Sequence, residues 1–237
     1  MTSYPKIGLF LKIVPLFFAL ICRTIWAADI PQGNVTDSRV INSPSDEPGS
    51  WLTYGQNFKE QRFSELTQIN TDTIARLGLA WTTQIGDYNM RMQGTPLVVD
   101  GVMYVSNGWS VIYALDATTG EEIWKYDPEV DRSYIRLACC GPAHNRGVAV
   151  YEGKVFVGTF DGRLIAVNAE NGEEVWDVDT WIPEGLGRFN ITGAPRAAAG
   201  KVYIGQGSGE SGHRRGYVCL LYTSDAADEE DSVDLGG

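Results

Sequence analysis

Residues 114–124 read ALDATTGEEIW, and residues 166–176 read AVNAENGEEVW. Each stretch passes from a short apolar strand through a tight turn of Asx and Gly type into a second strand that ends on tryptophan. An earlier motif, a turn glycine followed by a β-branched and aromatic strand, occurs three times, at Gly101, Gly153 and Gly200. The sequence therefore contains an internal repeat built from antiparallel hairpins.

Repeats of this length, with four short strands and a closing tryptophan, are typical of β-propeller blades. No segment between the repeats has a helical period long enough for a crossover helix, which argues against a parallel βαβ sheet. We therefore predict an all-β fold that forms part of a β-propeller, with Trp124 and Trp176 at equivalent places between neighbouring blades. Residues 77–81 (LGLAW) have the form of the end of a preceding unit.

The third unit departs from this pattern near its end. When Val218 is aligned with Leu164, the turn glycine should stand at Ala226 and the closing tryptophan at Glu230. Residues 219–237 instead hold six acids and no base. A native acidic tail and a frame-shifted or foreign sequence both fit this composition. We predict the second, so that the natural protein continues beyond this point.

The start of the chain has the form of a secretory signal peptide, with Lys6 and Lys12 before an uncharged run (13–22) and a small-residue junction at Ala28. The run is too short to cross a bilayer core of about 30 Å. An uncleaved membrane anchor is the alternative, and either form predicts export to the periplasm. The predicted parts of the chain are a signal peptide, a propeller segment and a tail: residues 1–28, 29–218 and 219–237.

Composition excludes several classes of protein. The 237 residues carry 19 Lys and Arg against 30 Asp and Glu, a net charge of -11 that argues against nucleic-acid binding. A hydrophobic content of 43% and only four cysteines argue against a disordered chain or a disulfide-dense scaffold.

Polar side chains recur at matching positions of the repeat. Two sets of three are found, Gln93, Asn145 and Thr192 in the first, and Asn107, Thr159 and Gln206 in the second. Equivalent inner-strand positions of a propeller converge at one end of its central channel. The two sets therefore predict either a shared polar site at the channel mouth or residues that cap the ends of strands.

Cys139 and Cys140 are adjacent in the sequence. If Cys22 leaves with the signal peptide and Cys219 belongs to the tail, these two have only each other as intramolecular partners in an oxidising compartment. Neighbouring Cα atoms lie about 3.8 Å apart, below the usual disulfide range, so a bond between them would be strained. A strained ring favours a functional role, and two reduced buried thiols are the alternative.

Residues 207–212 (GSGESG) satisfy the G-x-G-x-x-G pattern of dinucleotide-binding folds. The context argues against that function, because a strand and not a helix follows. The glycines instead allow the backbone to approach a ligand closely. Glu210 is either a ligand for a hard cation or a solvent-exposed turn residue.

Together these residues resemble the quinoprotein alcohol dehydrogenases, the methanol and ethanol dehydrogenase family that uses pyrroloquinoline quinone (PQQ). The resemblance runs from Trp51 to about Val218 and is carried by the tryptophan-closed units and by the cysteine pair followed by the residues 145–149 (NRGVA). It implies an eight-bladed propeller with the quinone in its central channel beside a Ca²⁺ or lanthanide ion.

The resemblance also implies roles for particular residues. Cys139 and Cys140 would form a disulfide ring against one face of the quinone, Arg146 would bond its oxygens or carboxylates, and Glu210 would ligate the metal. The other expected cofactor contacts are Gln93, which stands where many members have Glu, together with Thr159, Gly207, Ser208 and Gly209. The catalytic Asp is expected after Val218, so no catalytic residue is predicted in this chain.

The implied activity is periplasmic oxidation of primary alcohols to aldehydes, with electrons passed to a cytochrome c. The expected partners are a small alcohol, a cytochrome c and a second copy of the chain, and no nucleic acid. The rival hypothesis is a non-catalytic propeller that serves as a scaffold for protein assembly. A scaffold has no need of the cysteine ring or of Arg146 and Glu210, which favours the enzyme.

Overall fold

The computed structural model describes residues 31–86, 90–137, 142–180, 190–207, 216–224 and 231–233. Short strands dominate these residues, as an all-β fold requires. In chain order the strands are β1 (Arg91–Met92), β2 (Leu97–Val99), β3 (Val102–Ser106), β4 (Ile112–Asp116), β5 (Glu122–Tyr126), β6 (His144–Asn145), β7 (Ala149–Tyr151), β8 (Lys154–Gly158), β9 (Arg163–Asn168), β10 (Glu174–Asp179), β11 (Arg196–Ala198), β12 (Lys201–Gly205), β13 (Val218–Tyr222) and β14 (Asp231–Val233).

Twelve of these strands form three antiparallel sheets of four, each in the order of the sequence. We call β2–β5 blade 1, β7–β10 blade 2 and β11–β14 blade 3. The remaining two strands, β1 and β6, form a short parallel pair. The helix α1 (Asp37–Asp46) precedes blade 1, and two 3-10 helices span Ile74–Arg76 and Arg132–Leu137. The predicted propeller blades are therefore confirmed.

The turn between the first two strands of each blade has the same backbone geometry. Its two central residues both have positive φ, as type I′ hairpin turns require. The pairs are Asp100 and Gly101 (φ 52° and 79°), Glu152 and Gly153 (47° and 74°), and Ala199 and Gly200 (52° and 70°). The repeated glycine in the sequence thus marks one position that favours a residue without a side chain.

Trp81 and Trp124 each pack on the hairpin turn of the blade that follows them. The indole N–H of Trp124 donates to the carbonyl of Ala169 at 3.1 Å, and that of Trp81 donates to the carbonyl of Ala117 at 3.2 Å. A β-carbon on Gly172 would lie 2.6 Å from the Trp124 ring. The turn glycine of the repeat is therefore also the surface on which the preceding tryptophan lies.

A β-bulge precedes Trp124 in β5 and Trp176 in β10 and turns both side chains towards the interface between blades. In β5 the register shifts so that Trp124 pairs with Ala114, and in β10 the same shift pairs Trp176 with Ala166. The predicted equivalence of Trp124 and Trp176 is thus confirmed. Because the bulge absorbs one residue, the indole points between blades.

Blade 3 continues the pattern further than the sequence predicted. β13 runs to Tyr222 in the register of β4 and β9, and the N–H of Thr223 bonds to Gly200 as the N–H of Ala169 bonds to Gly153. Thr223 therefore takes the place of the docking alanine. Nevertheless, the indole N–H of Trp176 is buried without a hydrogen-bond partner within the described residues.

The segment before blade 1 ties the three blades together. The carbonyls of Gly33 and Val35 accept from the backbone of the blade 2 turn, the Asp37 carboxylate accepts from Ala199 of blade 3, and Arg39 pairs with Asp100 of blade 1 at 2.6 Å. The segment thus contacts the first hairpin turn of all three blades.

Among the residues that the structure describes, no helix combines the length and apolar character needed to span a membrane.

Candidate functional site

The candidate site lies just before the first strands of blades 1 and 2, β2 and β7. The parallel pairs Arg91 with His144 and Met92 with Asn145 bring the starts of blades 1 and 2 together. Gly94 then lies against Gly147, since a β-carbon on Gly94 would be only 3.3 Å from the Gly147 Cα. The small residues of the repeat allow the first two inner strands to approach closely at this end.

Arg146 lies at this junction and joins blade 2 to the start of blade 3. Its backbone N–H donates to the carbonyl of Thr192 at 3.0 Å, and its Nη1 donates to the same carbonyl at 3.2 Å and to the Thr192 hydroxyl at 2.7 Å. The side chain is half-buried and has no carboxylate partner within the described residues. A guanidinium held on one side keeps its other N–H groups for an anionic oxygen.

Asn145, the neighbour of Arg146, is fully buried and serves the fold. Its amide nitrogen donates to the Ser110 hydroxyl at 3.1 Å and to the carbonyl of Gly158 at 2.8 Å. Its amide oxygen accepts from the Ser106 hydroxyl at 2.7 Å and from the N–H of Gly147 at 2.8 Å. Both ends of the amide are thus used within the protein, and Asn145 fixes the backbone that carries Arg146.

One member of the first polar set, Thr192, contacts Arg146, the residue that follows Asn145. Gln93 directly follows the Met92–Asn145 pair and is exposed to solvent. Thr192 was predicted only as a member of a polar set, and its contact with Arg146 was missed. A signal was present in the repeat, because Thr192 directly precedes Gly193, just as Gln93 precedes Gly94 and Asn145 precedes Arg146.

Two members of the second polar set, Asn107 and Thr159, cap strand ends. The Asn107 amide oxygen accepts from the N–H groups of Trp109 at 2.9 Å and Val111 at 3.1 Å. The Thr159 hydroxyl accepts from the N–H of Arg163 at 2.9 Å and donates to Asp161. Thr159 is fully buried, so its hydroxyl is occupied by its own turn.

This geometry gives no support to the expected contact of Thr159 with a cofactor carboxylate, and Thr192 is the threonine beside Arg146. Gln206 is buried, bonds Thr180 through its amide nitrogen, and has an amide oxygen without a partner in the described part of the chain. The N–H of Gly207 donates to the carbonyl of Asn190 at 2.8 Å. In this structure it is therefore already used within the protein.

Five of the predicted site residues lie outside the described residues: Cys139, Cys140, Ser208, Gly209 and Glu210. Among the described residues, no group of three or more His, Cys, Asp or Glu side chains could hold a metal ion. Of the predicted site, the described residues include Arg146, a cation whose side chain is bonded to Thr192. Such a cation fits a ligand with carboxylate or quinone oxygens, which are the oxygens of PQQ.

The fold and this site define the class of the protein. Residues 51–179 match the PQQ family described as the glucose/ethanol/alcohol dehydrogenase β-propeller domain. The chain belongs to this family of PQQ-dependent dehydrogenases, as its tryptophan-closed blades and Arg146 indicated.

Individual relatives support the same family. The chain is 50% identical over 192 residues to the quinohemoprotein alcohol dehydrogenase ADH-IIG of Pseudomonas putida, covering 81% of this chain and 26% of that protein. The solved structure of that enzyme superimposes with a TM-score of 0.79 at 47% identity, over 86% of this chain and 28% of the other.

Two further proteins extend the comparison. The 1-butanol dehydrogenase (cytochrome c) of Thauera butanivorans is 48% identical over 72% of this chain and 24% of its own length. A europium-containing methanol dehydrogenase superimposes with a TM-score of 0.72 at 36% identity, over 80% of this chain and 32% of the other. The chain thus spans about a quarter of the curated relatives it matches.

Proposed function

We propose that these blades are part of a PQQ-dependent alcohol dehydrogenase that oxidises primary alcohols to aldehydes and passes electrons to a cytochrome. The observation that carries the proposal is the half-buried Arg146, which is held by Thr192 at the start of an inner strand in a propeller of the PQQ family. Names of relatives such as quinohemoprotein alcohol dehydrogenase and 1-butanol dehydrogenase (cytochrome c) support the substrate class and the acceptor.

Arg146 would bind carboxylate or quinone oxygens of the cofactor with the N–H groups that Thr192 leaves free. Thr192 would hold the guanidinium in place, and Asn145 would hold the backbone beneath it. When bound, PQQ would supply the acceptor for the hydride, which carries both of the electrons that leave the alcohol. Glu210 is the proposed ligand of a Ca²⁺ or lanthanide ion, and the base that takes the hydroxyl proton is proposed to lie outside these residues.

The scaffold alternative is not favoured. A scaffold needs the docked tryptophans, but it gains nothing from an arginine that has no carboxylate partner among the described residues, because burying an unpaired charge costs free energy. The relatives with the higher identities are named as dehydrogenases. Export to the periplasm and assembly of two copies belong to the same proposal.

The test is a chimera in which residues 31–218 replace the matching quarter of the Pseudomonas putida ADH-IIG. We expect alcohol-dependent dye reduction that requires added PQQ. Arg146→Ala in this chimera should raise the PQQ concentration for half-maximal activity by about ten- to a hundred-fold, since a charge-assisted hydrogen bond contributes about 1.5–3 kcal/mol. Steady-state titration with PQQ measures the effect.

Arg76→Ala is the matched control, because Arg76 is exposed on a short 3-10 helix. It should leave the PQQ titration unchanged. A chimera that folds but shows no PQQ-dependent alcohol oxidation, where the parent enzyme does, would contradict the proposed function. Equal effects of the two substitutions would contradict the role of Arg146.

The cysteine pair is tested separately. We expect Cys139 and Cys140 of the exported protein to be joined, so that peptide mass spectrometry finds a mass about two units below the dithiol, the difference made by loss of two hydrogens. Free thiols at both positions after aerobic purification would count against a disulfide ring facing the cofactor. Reduction before digestion serves as the control.

A further inference from the structure

The backbone of Arg146 is held from both sides. On one side, the carbonyl of Thr192 accepts the N–H of Arg146 at 3.0 Å. On the other side stands Asn145, whose amide oxygen accepts from the N–H of Gly147 at 2.8 Å. This bond from a side chain to the backbone two residues on forms an Asx turn that spans Arg146. The orientation of the Asn145 amide therefore helps to fix the place of the guanidinium.

Two serines of blade 1 hold the two ends of that amide. Ser106 is the last residue of β3, and its hydroxyl donates to the Asn145 amide oxygen at 2.7 Å. Ser110 lies in the loop before β4, and its hydroxyl donates to the carbonyl of Gly158 at 3.1 Å. The Ser110 oxygen is thereby left to accept from the Asn145 amide nitrogen, also at 3.1 Å. One serine meets the oxygen and the other meets the nitrogen, so the pair selects one orientation of the amide.

Burial and backbone strain mark this contact between blades. The exposed fraction is 1% for Ser106, 1% for Ser110 and 0% for Asn145, so water does not compete for these hydrogen bonds. Ser110 also has a φ of 65°, in the left-handed region that a residue with a side chain adopts at a cost. Such strain persists where the surrounding structure requires it. The strained residue places its hydroxyl on the neighbour of Arg146.

We propose that these two serines are positioning residues for Arg146, which act through Asn145 and set how tightly the site binds the oxygens of the cofactor. Neither serine contacts the ligand. A guanidinium binds oxygens through N–H groups of fixed direction, so a displaced backbone weakens binding although the charge remains. Because Arg146 is assigned to PQQ only by the proposed function, this role of the serines rests on that function.

The first test is equilibrium binding of PQQ to the chimera described above, followed by quenching of tryptophan fluorescence with no alcohol present. Ser106→Ala and Ser110→Ala should each weaken PQQ binding about five-fold, the effect of one hydrogen bond. Neither should have a further effect when Arg146→Ala is already present, because a positioning residue acts through the group that it positions. Ser43→Ala is the matched control, since Ser43 is a fully buried serine whose hydroxyl donates within α1. It should leave PQQ binding unchanged.

The second test needs no cofactor. Amide hydrogen exchange of the 237-residue chain, followed by NMR, reports on the N–H of Arg146 that donates to Thr192. Both serine variants should speed exchange at Arg146 about five-fold, by the loss of one hydrogen bond that restrains local opening. Ser43→Ala should leave this rate unchanged. Circular dichroism checks that each variant is folded.

The outcomes separate this role from the proposed function. Unchanged exchange at Arg146 in both serine variants would overturn the positioning role. Effects on PQQ binding that add to that of Arg146→Ala would also overturn it, because they would show that the serines act on the stability of the blades alone. A chimera that binds no PQQ would contradict the proposed function itself, whereas the exchange rates would still decide whether the serines position Arg146.

Discussion

Asn145→Asp is expected to lower the free energy of unfolding by about 3 kcal/mol or more, because a buried amide that makes four hydrogen bonds loses both of its donors. The new carboxylate oxygen would face the carbonyl of Gly158, which now accepts from the amide at 2.8 Å. Two acceptors in contact repel each other, and burial adds the cost of an unpaired charge. Urea denaturation of the 237-residue chain, followed by tryptophan fluorescence, measures the loss.

Asn107→Asp is the matched control. Asn107 is also buried, but its side chain contributes an oxygen that accepts from the N–H groups of Trp109 and Val111. A carboxylate keeps these two bonds and is stabilised by them. We expect a much smaller loss than for Asn145→Asp. Equal losses at the two positions would show that the donors of Asn145 do not matter.

Gly172→Ala is expected to destabilise the chain by about 3 kcal/mol, the sum of backbone strain and displacement of a docked tryptophan. Gly172 has φ of 74°, a conformation that costs an alanine about 1–2 kcal/mol. Its new β-carbon would lie 2.6 Å from Cε3 and 2.8 Å from Cδ2 of Trp124. Overpacking of this kind costs about 1–3 kcal/mol more.

Gly200→Ala separates the two causes. Gly200 has φ of 70°, and apart from its two neighbours in the chain, no atom of the described residues lies within 4 Å of the position that its β-carbon would take. It should therefore show the backbone strain alone, and the difference between the two variants measures the packing of Trp124. Denaturation midpoints of the two variants give that difference. If both variants lose the same stability, the indole is not fixed on Gly172.

Local features of the fold were predictable from the sequence. The glycines at Gly101, Gly153 and Gly200 marked hairpin turns because the left-handed backbone of those turns favours glycine whatever lies around it. Trp124 and Trp176 marked the fourth strand of blades 1 and 2, because each stands at the same distance after the turn glycine of its repeat. In both cases the information lies within about a dozen residues of the sequence.

The end of the third unit was less predictable. The sequence indicated that the repeat is lost within a few residues of Val218, and β13 keeps its register to Tyr222 because backbone hydrogen bonds to β12 do not depend on side-chain identity. Within the described residues, the indole N–H of Trp176 has no acceptor that corresponds to the Ala169 carbonyl, which accepts from Trp124.

By itself, the sequence determined the class of fold and the positions of the hairpin turns, because hairpin turns and strand alternation are encoded locally. Only the tertiary structure decided which polar side chains are bonded within the protein. Asn145 and Thr159 looked like site residues, but Ser110 of blade 1 and the turn of Arg163 use their polar atoms. Thr192 meets Arg146 across 46 residues of sequence, because that contact depends on how blades 2 and 3 approach each other.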